Sequence, residues 1–166
     1  PVLGTAVLFH FIMGFILEAK NNKARPVKYA ADGAAHNSTW MSRNMIISGA
    51  VILAFLGLHM YDFWLHEMTY KYLPGGGDPN DLTRFWGELN AKFGDLWRVI
   101  FCIIAFLLLV FHLAHCFQSS FQSVGARHPR YTPAIKAIGN WYSILIPAGF
   151  IIIAVFHFLS DSALFN

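Results

Sequence analysis

Apolar residues of this chain fall into four long runs separated by polar segments. The runs cover residues 2–17, 44–66, 96–123 and 135–159. A helix needs about 20 apolar residues to cross the hydrocarbon core of a bilayer, and all but the first run reach that length. The pattern predicts an all-α transmembrane helical bundle with four spans, forming a single domain over residues 1–166.

The beginning of the chain departs from this pattern. Pro1 leads directly into the short first run, with no initiator Met, no basic segment and no cleavage site of a signal peptide. We therefore expect the chain to be truncated at its N-terminus, with a fifth, preceding span missing.

Composition supports a membrane protein and narrows its partners. Hydrophobic residues make up 56% of the chain and charged residues only 13%, whereas a soluble domain carries about 25% charged residues. Sixteen Phe and five Trp suit a lipid-facing surface with aromatic belts. A net charge of +3, with no phosphate-binding loop, does not indicate nucleic acid. Cys102 and Cys116 lie on one predicted helix about 21 Å apart and cannot form a disulfide with each other.

Charged residues of the loops predict the orientation of the spans. Basic residues dominate segments 18–43 and 124–136, whereas acidic residues dominate segment 67–95. The positive-inside rule places the first two segments in the cytoplasm and the third outside. The third segment contains the turn sequence PGGGDPND at 74–81, and the following FWGELNAKFGDLW favours a short interfacial helix.

Histidines inside the apolar runs are the candidate ligands of a cofactor. His10, His59 and His112 lie in three different runs, where an unbound imidazole is costly. Helix rise places His10 and His112 about 15 and 20 Å from the inner boundary, and His59 about 12 Å from the outer one. One pair and one single ligand at two depths is the pattern of a two-haem bundle. Gly14 and Gly57 leave room for the rings, although both also suit helix packing.

These histidines have two other interpretations. Any one of them alone is as easily a hydrogen-bonded packing residue as a ligand. A zinc site would favour ligands at one depth, often with carboxylate or thiolate, and the first and third runs have no inward acid beside their histidines. Three histidines on three helices at compatible depths favour haem.

Several motifs in order resemble one known family. They are the Phe-His pair at 111–112 with Gly125 thirteen residues after the histidine, the Ser-Gly pair at 48–49 ten residues before His59, and His10 followed by Gly14 and a basic loop. Across the whole chain, and through SRNMIISG…HMYDFW and HCFQSSFQSVG in particular, the sequence resembles the di-haem cytochrome b membrane anchor (b558 family) of bacterial succinate dehydrogenases and quinol:fumarate reductases, of the Bacteroidetes type. That family has five helices, of which the first is absent here.

The resemblance implies the ligand assignment. By position, His10 and His112 would hold the haem b nearer the cytoplasm, and His59 would hold the outer haem b with a partner on the missing segment. Spacing to Gly125 favours His112 over His115, which lies about 60° away on the same helix. His115 is then a hydrogen-bonding neighbour.

Haem propionates require cations or hydroxyl groups. Arg43 and Ser48 suit the inner haem, and Arg98, with Arg84 or Lys92, suits the outer one, although arginines also snorkel to lipid headgroups. Gln118, Ser119 and Gln122 form a polar stripe that reaches either a haem edge or neighbouring helices. The remaining histidines are expected to be structural, interfacial or loop residues: His36, His66, His128 and His157.

The resemblance implies a function in electron transfer. The chain would be a subunit of a succinate:quinone oxidoreductase in the bacterial cytoplasmic membrane, passing electrons between a membrane quinone and the iron–sulfur subunit, which carries the flavoprotein subunit. It has no dicarboxylate chemistry of its own, and the acidic outer loop and His66 are candidates for proton transfer. Three alternatives remain open: a haem b subunit of a hydrogenase or formate dehydrogenase, a non-haem proton-conducting protein or transporter that titrates the same histidines, and a purely structural anchor.

Overall fold

The structure, a computed structural model, describes residues 2–24, 40–73, 81, 83–126 and 128–161. Four helices are long and apolar enough to cross a membrane. They are α1 (Val2–Ala24), α3 (Met45–Tyr72), α5 (Leu96–Ser123) and α6 (Thr132–Asp161), joined by the short helices α2 (Trp40–Arg43) and α4 (Arg84–Phe93). The described residues contain no strand. The protein is thus an all-α transmembrane bundle, as the apolar runs predict.

The long helices extend beyond the apolar runs at several ends. α1 continues through Glu18 and Lys20 to Ala24, and α3 continues past His66 to Tyr72. Polar residues stay helical there because backbone groups near a bilayer are best satisfied within the helix itself. The third run coincides with α5, whose bounds are Leu96 and Ser123.

A wide turn interrupts α3 in its outer half, meaning the half nearer the end of the bundle that the loop charges predict to lie outside. The helix is α-helical from Met45 to His59, π-helical from Met60 to Leu65, and α-helical again from His66 to Tyr72. Such π-helical turns are rare and are frequently found at functional sites. Here the turn follows His59 directly and contains Asp62, which is buried.

The interfacial helix predicted after the outer turn sequence is present as α4. It ends at Phe93, and Gly94 and Asp95 then form the turn into α5, so the last residues of the predicted segment belong to the third span. α4 is amphipathic and packs on α6, where Trp86 and Phe93 contact the ring of His157. It covers the outer end of the bundle.

The helices α5 and α6 pack closely against each other. A Cβ built on Gly139 of α6 would lie only 2.3 Å from a ring atom of Phe117 on α5, so the two helices approach at a glycine. One turn further, Ser143 is completely buried, and its hydroxyl donates a hydrogen bond of 2.6 Å to the Gly139 carbonyl. Pro147, also buried, follows another turn later and leaves the Ser143 carbonyl without its usual backbone donor.

The surface of the bundle is apolar where lipid would lie. Among the described residues, the buried apolar side chains are few: Val99, Cys102, Ala105, Phe106, Pro147 and Ala154. Large side chains such as Leu107, Leu145 and Ile152 are instead exposed by 50% or more. A water-soluble chain would bury such residues, whereas a bilayer solvates them.

Candidate functional site

His10 of α1 and His112 of α5 face each other across the inner half of the bundle. Their ring centres lie 6.3 Å apart, and the ring planes are nearly perpendicular at 83°. The two residues are far apart in sequence, so only the tertiary fold brings them together. This geometry agrees with the expectation that they share a level in the membrane.

Ser48 of α3 determines which nitrogen of His112 carries the proton. The Ser48 hydroxyl donates its single proton to the Met45 carbonyl at 3.0 Å. The same oxygen lies 3.1 Å from Nδ1 of His112, so with its proton on the Met45 carbonyl it accepts a hydrogen bond from that nitrogen. Nδ1 is therefore protonated, and Nε2 of His112 keeps a free lone pair. A ligating histidine is oriented by its second nitrogen in this way.

Two cavities flank the histidine pair. The cavity on one side has a volume of about 350 Å³ and the other about 140 Å³, and His10, Phe11, Gly49 and His112 line both. Gly49 is placed so that even a Cβ there would contact His112 at 3.6 Å. Gly14 lines the smaller cavity, as its spacing from His10 predicts. Both cavities are thus largely apolar spaces that the two imidazoles share.

The spacing of the histidine pair is compatible with two imidazoles that share one metal ion. Two imidazoles on opposite sides of a metal would have ring centres about 6 Å apart, because each metal–nitrogen bond is about 2 Å long. The observed ring-centre distance is 6.3 Å, which is also that of two rings in edge-to-face contact. Within the described residues, no group of three or more His, Cys, Asp or Glu could hold a metal ion.

His115 and the polar stripe of α5 have other partners. The Nε2 atom of His115 lies 3.3 Å from the hydroxyl of Ser119 on the same helix. Gln118 donates a hydrogen bond of 3.1 Å to Asn140 of α6. Of the two roles predicted for the polar stripe, this is the bond to a neighbouring helix. His115 is thus a neighbour of the pair, and His112 is the residue that meets His10.

His59 lines a second cavity in the outer half of the bundle. This outer cavity, of about 410 Å³, is enclosed by the outer part of α3 together with α4, α5 and α6. Five phenylalanines are among the residues that line it, and two of them, Phe55 and Phe63, pack against the imidazole of His59. His59 is the one histidine that lines it among the described residues. His59, which the sequence places at a different depth from His10 and His112, thus lines a different cavity from theirs.

An ion cluster closes the outer cavity at its polar end. Both Nε and Nη2 of Arg98 donate to the two carboxylate oxygens of Asp62, at 3.0 and 3.1 Å. The Lys92 ammonium lies 3.2 Å from the same carboxylate, and Asp95 also pairs with Arg98. Arg98 and Lys92, expected to serve haem propionates, are thus engaged with Asp62. Asp62 itself was missed because its role depends on the π-helical turn.

Other expected contact residues lie elsewhere. Arg43 ends α2 with an exposed side chain and does not line the cavities beside His10. Ser48 contacts His112, so its hydroxyl orients the imidazole ring of His112. Glu18 lines the smaller inner cavity and is an acid of the first helix that the sequence pattern did not indicate.

The remaining described histidines interact with polar neighbours. His66 pairs with Glu88 at 3.4 Å and is half exposed, whereas His157 is buried and bonds Asn90 of α4. His128 lies in the exposed turn before α6, where its Nδ1 accepts a hydrogen bond from a backbone N–H of the same turn. His36 lies outside the described residues. Gly57 meets no neighbour within 4 Å and is an open position on α3.

Outside the spans, two charged groups near α4 have shifted pKa values. Hydrogen bonds from the hydroxyl and backbone N–H of Thr83 lower the pKa of Asp81. The carboxylate of Glu67, to which Arg84 donates at 2.7 Å, raises the pKa of that guanidinium. Arg84 is therefore committed to Glu67 and stacks on the Tyr70 ring at 4.2 Å.

With four membrane-spanning helices and a facing pair of histidines, the chain falls in the class of multi-pass membrane proteins with a candidate cofactor site. No family model, curated protein or solved structure matches this chain.

Proposed function

We propose that the chain is the membrane-anchor haem b subunit of a bacterial succinate:quinone oxidoreductase. Its role is to pass electrons between a membrane quinone and the iron–sulfur subunit of a succinate dehydrogenase or fumarate reductase. The observation that carries the proposal is the facing of His10 and His112, with Ser48 holding the His112 ring. Sequence resemblance supplies the identity of the complex.

His10 and His112 would hold the inner haem through their free imidazole nitrogens. A haem saturated by two histidines carries single electrons and does not bind oxygen. The residues of this chain orient the ligands and exclude water: Ser48 fixes the His112 tautomer, Gly49 admits the ring, and Phe11 lines the space on both sides.

His59 would hold the outer haem from one side. The described residues offer one imidazole at that level, so a second axial ligand has to come from elsewhere. Docking of the iron–sulfur subunit belongs on the opposite, basic face, where Lys20, Lys23 and Lys136 are exposed. The localisation that follows is the bacterial cytoplasmic membrane.

A purified complex tests this assignment through its optical spectrum and its haem content. We expect a Soret band, loss of one haem in His10→Ala and in His112→Ala, and loss of the other in His59→Ala. His115→Ala and His128→Ala serve as controls and should keep both haems. Retention of every haem in all three ligand variants would refute the assignment.

The cluster of buried Asp62 with half-buried Lys92 and Arg98 favours a second candidate, a non-haem proton-conducting protein. Ionisable groups at membrane depth commonly mark proton pathways, and the Asp62 side chain is only 4% exposed. The two candidates differ in one simple observation, because a proton conductor without haem has no Soret band.

Subunits that copurify with the chain distinguish a succinate:quinone oxidoreductase from a hydrogenase or formate dehydrogenase complex.

A further inference from the structure

We propose that α4 (Arg84–Phe93) is a hinged lid on the outer cavity. It moves away from α6 and from the outer part of α3 about the turn at Gly94 and Asp95, and this movement opens the cavity to the outer aqueous side. The inference goes beyond the proposed function, which assigns no movement to α4. It rests on contacts between described residues and does not depend on a bound cofactor.

Among the described residues that line the outer cavity, those of α4 alone lie outside the membrane spans. They are Leu89, Lys92 and Phe93, and the other lining residues belong to α3, α5 and α6. α5 and α6 pack closely at Gly139, whereas α4 lies across the outer end of the bundle. Displacement of α4 is therefore the movement that joins the cavity to water without separating the spans.

Polar contacts hold α4 against the neighbouring helices. They join Arg84 to Glu67, Glu88 to His66, and Asn90 to His157. Ion pairs near a surface and single hydrogen bonds each contribute little to stability, because water replaces the lost partner. Each of these contacts can therefore break and form again at low cost.

Apolar packing adds little to the attachment of α4. No residue of this helix, which the structure describes throughout, is buried. Even Trp86, whose ring lies 4.8 Å from that of His157, is 52% exposed. Segments with few buried apolar contacts are the ones that open most easily in a folded protein, and binding-site lids are drawn from them. We therefore expect α4 to separate from the bundle more readily than the spans separate from one another.

The turn between α4 and α5 has one fixed side. Asp95 pairs with Arg98, which donates two hydrogen bonds to Asp62 of α3. The other side begins at Gly94, whose backbone N–H bonds the Asn90 carbonyl at 2.8 Å. Hinges absorb a movement through φ and ψ of a few residues, and glycine changes both with the fewest steric limits. α4 can therefore turn at Gly94 while Asp95 stays bound to the spans.

Cys102 reports the opening of the lid. It is buried and lines the outer cavity, whereas Cys116 lines neither this cavity nor those beside His10. The full chain in lipid nanodiscs, which expose both membrane faces, is treated with a charged, membrane-impermeant maleimide. Modified cysteines are quantified by mass spectrometry. We expect slow modification of Cys102, at a rate proportional to the open fraction of the lid, and Cys116 is the internal control.

Variants that break a holding contact should speed this modification. Arg84→Met removes the contact with Glu67, and Asn90→Leu removes the hydrogen bond to His157. Each should raise the rate at Cys102 by about threefold to tenfold, the effect of one lost hydrogen bond on the open fraction. The rate at Cys116 should not change.

Each of these variants has a matched control. Lys71→Met also removes an ion pair of Glu67, but that pair joins two residues of the same helix. Gln118→Leu removes a hydrogen bond to Asn140 between α5 and α6, away from α4. Both controls should modify Cys102 at the wild-type rate. Modification that is equal in all variants, or absent from all of them, would overturn the inference.

A pair of alanine variants tests the hinge itself. Gly94 has φ −60° and ψ −28°, which are helical values that alanine adopts readily. Gly94→Ala should therefore favour the closed turn and slow modification of Cys102 by about twofold to fivefold. Gly87→Ala, in the middle of α4, meets nothing within 4 Å and should leave the rate unchanged if α4 moves as one body. Equal slowing in both variants would show that α4 unfolds, and the hinge would be wrong.

A reversible crosslink tests whether the cavity has another entrance. Trp86 of α4 and Phe156 of α6 have ring centres 6.0 Å apart. In a chain with Cys116→Ala, Trp86→Cys and Phe156→Cys are joined by a reducible bifunctional thiol reagent. Modification of Cys102 should stop in the joined chain and return after reduction. Unchanged modification in the joined chain would overturn the lid, and since one sample is compared with itself, haem content does not affect the result.

Discussion

At the scale of single residues, the decisive feature is how Ser48 orients His112. The hydroxyl has one proton, and while it donates that proton to the Met45 carbonyl it accepts from Nδ1–H of His112. The sequence predicts a propionate contact for a serine near a proposed haem. In the structure Ser48 instead contacts the His112 ring, and no pattern in the sequence distinguishes the two roles.

Removal of this hydroxyl should weaken ligation by His112. Ser48→Ala leaves Nδ1–H without its acceptor and frees the ring to rotate, and loss of such a partner typically costs about 10- to 100-fold in metal affinity. Haem affinity and the midpoint potential of the inner haem, measured by titration, check this.

Ser120→Ala is the matched control for that variant. Ser120 lies on α5, is exposed, and bonds the Phe117 carbonyl of its own helix. We expect wild-type affinity and potential in this variant. Identical values in Ser48→Ala would contradict the role of Ser48.

At the scale of helices, the approach of α5 to α6 depends on Gly139. A methyl group there would overlap the Phe117 ring, with 2.3 Å to the nearest ring atom, so the helices must separate or the ring must move. We expect Gly139→Ala to lower the free energy of unfolding by about 1–3 kcal/mol, as overpacked sites do. Unfolding in mixed detergent micelles measures the change.

Gly149→Ala on the same helix is the control. A Cβ at Gly149 meets nothing within 4 Å, and alanine is the better helix former. This variant should be as stable as the wild type or slightly more stable. Equal destabilisation of both variants would show that the effect is not the contact with Phe117.

The start of α4 should depend on pH through Asp81. Its carboxylate accepts from the Thr83 N–H at 2.9 Å and from the Thr83 hydroxyl at 2.7 Å. Since these bonds lower the pKa of Asp81, they stabilise the turn above its unfolded pKa of about 4 and are lost as pH falls through the folded value. Amide protection factors in the first turn of α4, corrected for the intrinsic exchange rate at each pH, should fall over that acidic range.

The replacement Asp81→Ala tests the cause of this pH dependence. The variant should show low protection factors at every pH, with no acidic transition. A transition that persists without the carboxylate would assign it to another group.

Sequence patterns predict the elements of this fold better than their connections. Apolar runs locate all four long helices, because lipid exposure demands a continuous apolar surface and the thickness of the bilayer sets the length of each run. The pairing of His10 with His112 follows from depth, which helix rise and loop charges supply. The π-helical turn and the Asp62–Arg98 pair were missed because they depend on contacts between helices, which no local pattern encodes.

At the scale of the whole molecule, charge separates the two faces of the bundle. Acidic and basic side chains at the α4 end pair with one another, as in Glu67 with Arg84 and Glu88 with His66. Described basic residues at the opposite end, such as Lys20 and Lys136, are exposed. The orientation predicted from loop charges places the first end outside the cell and the second in the cytoplasm.

Site-directed labelling tests this orientation. In a chain with Cys102 and Cys116 replaced by Ala, single cysteines are introduced at Tyr72 and Val124, which are 76% and 78% exposed at opposite ends of the bundle. An impermeant thiol reagent added to intact cells should label Tyr72→Cys at once, and Val124→Cys only after lysis. The reverse order would invert the proposed topology.

The wide turn in α3 has a consequence for how this protein tolerates insertions and deletions. A π-helical turn is equivalent to one residue added to an α-helix, and each residue advances the helix by about 100°. Residues after Leu65 are therefore rotated by about that angle relative to the positions that an uninterrupted α-helix would give them. Deleting a single residue between Met60 and Leu65 would remove this extra residue and restore a regular α-helix, so Glu67 would keep facing Arg84 while the inner half, with His59 and Ser48, stays where it is.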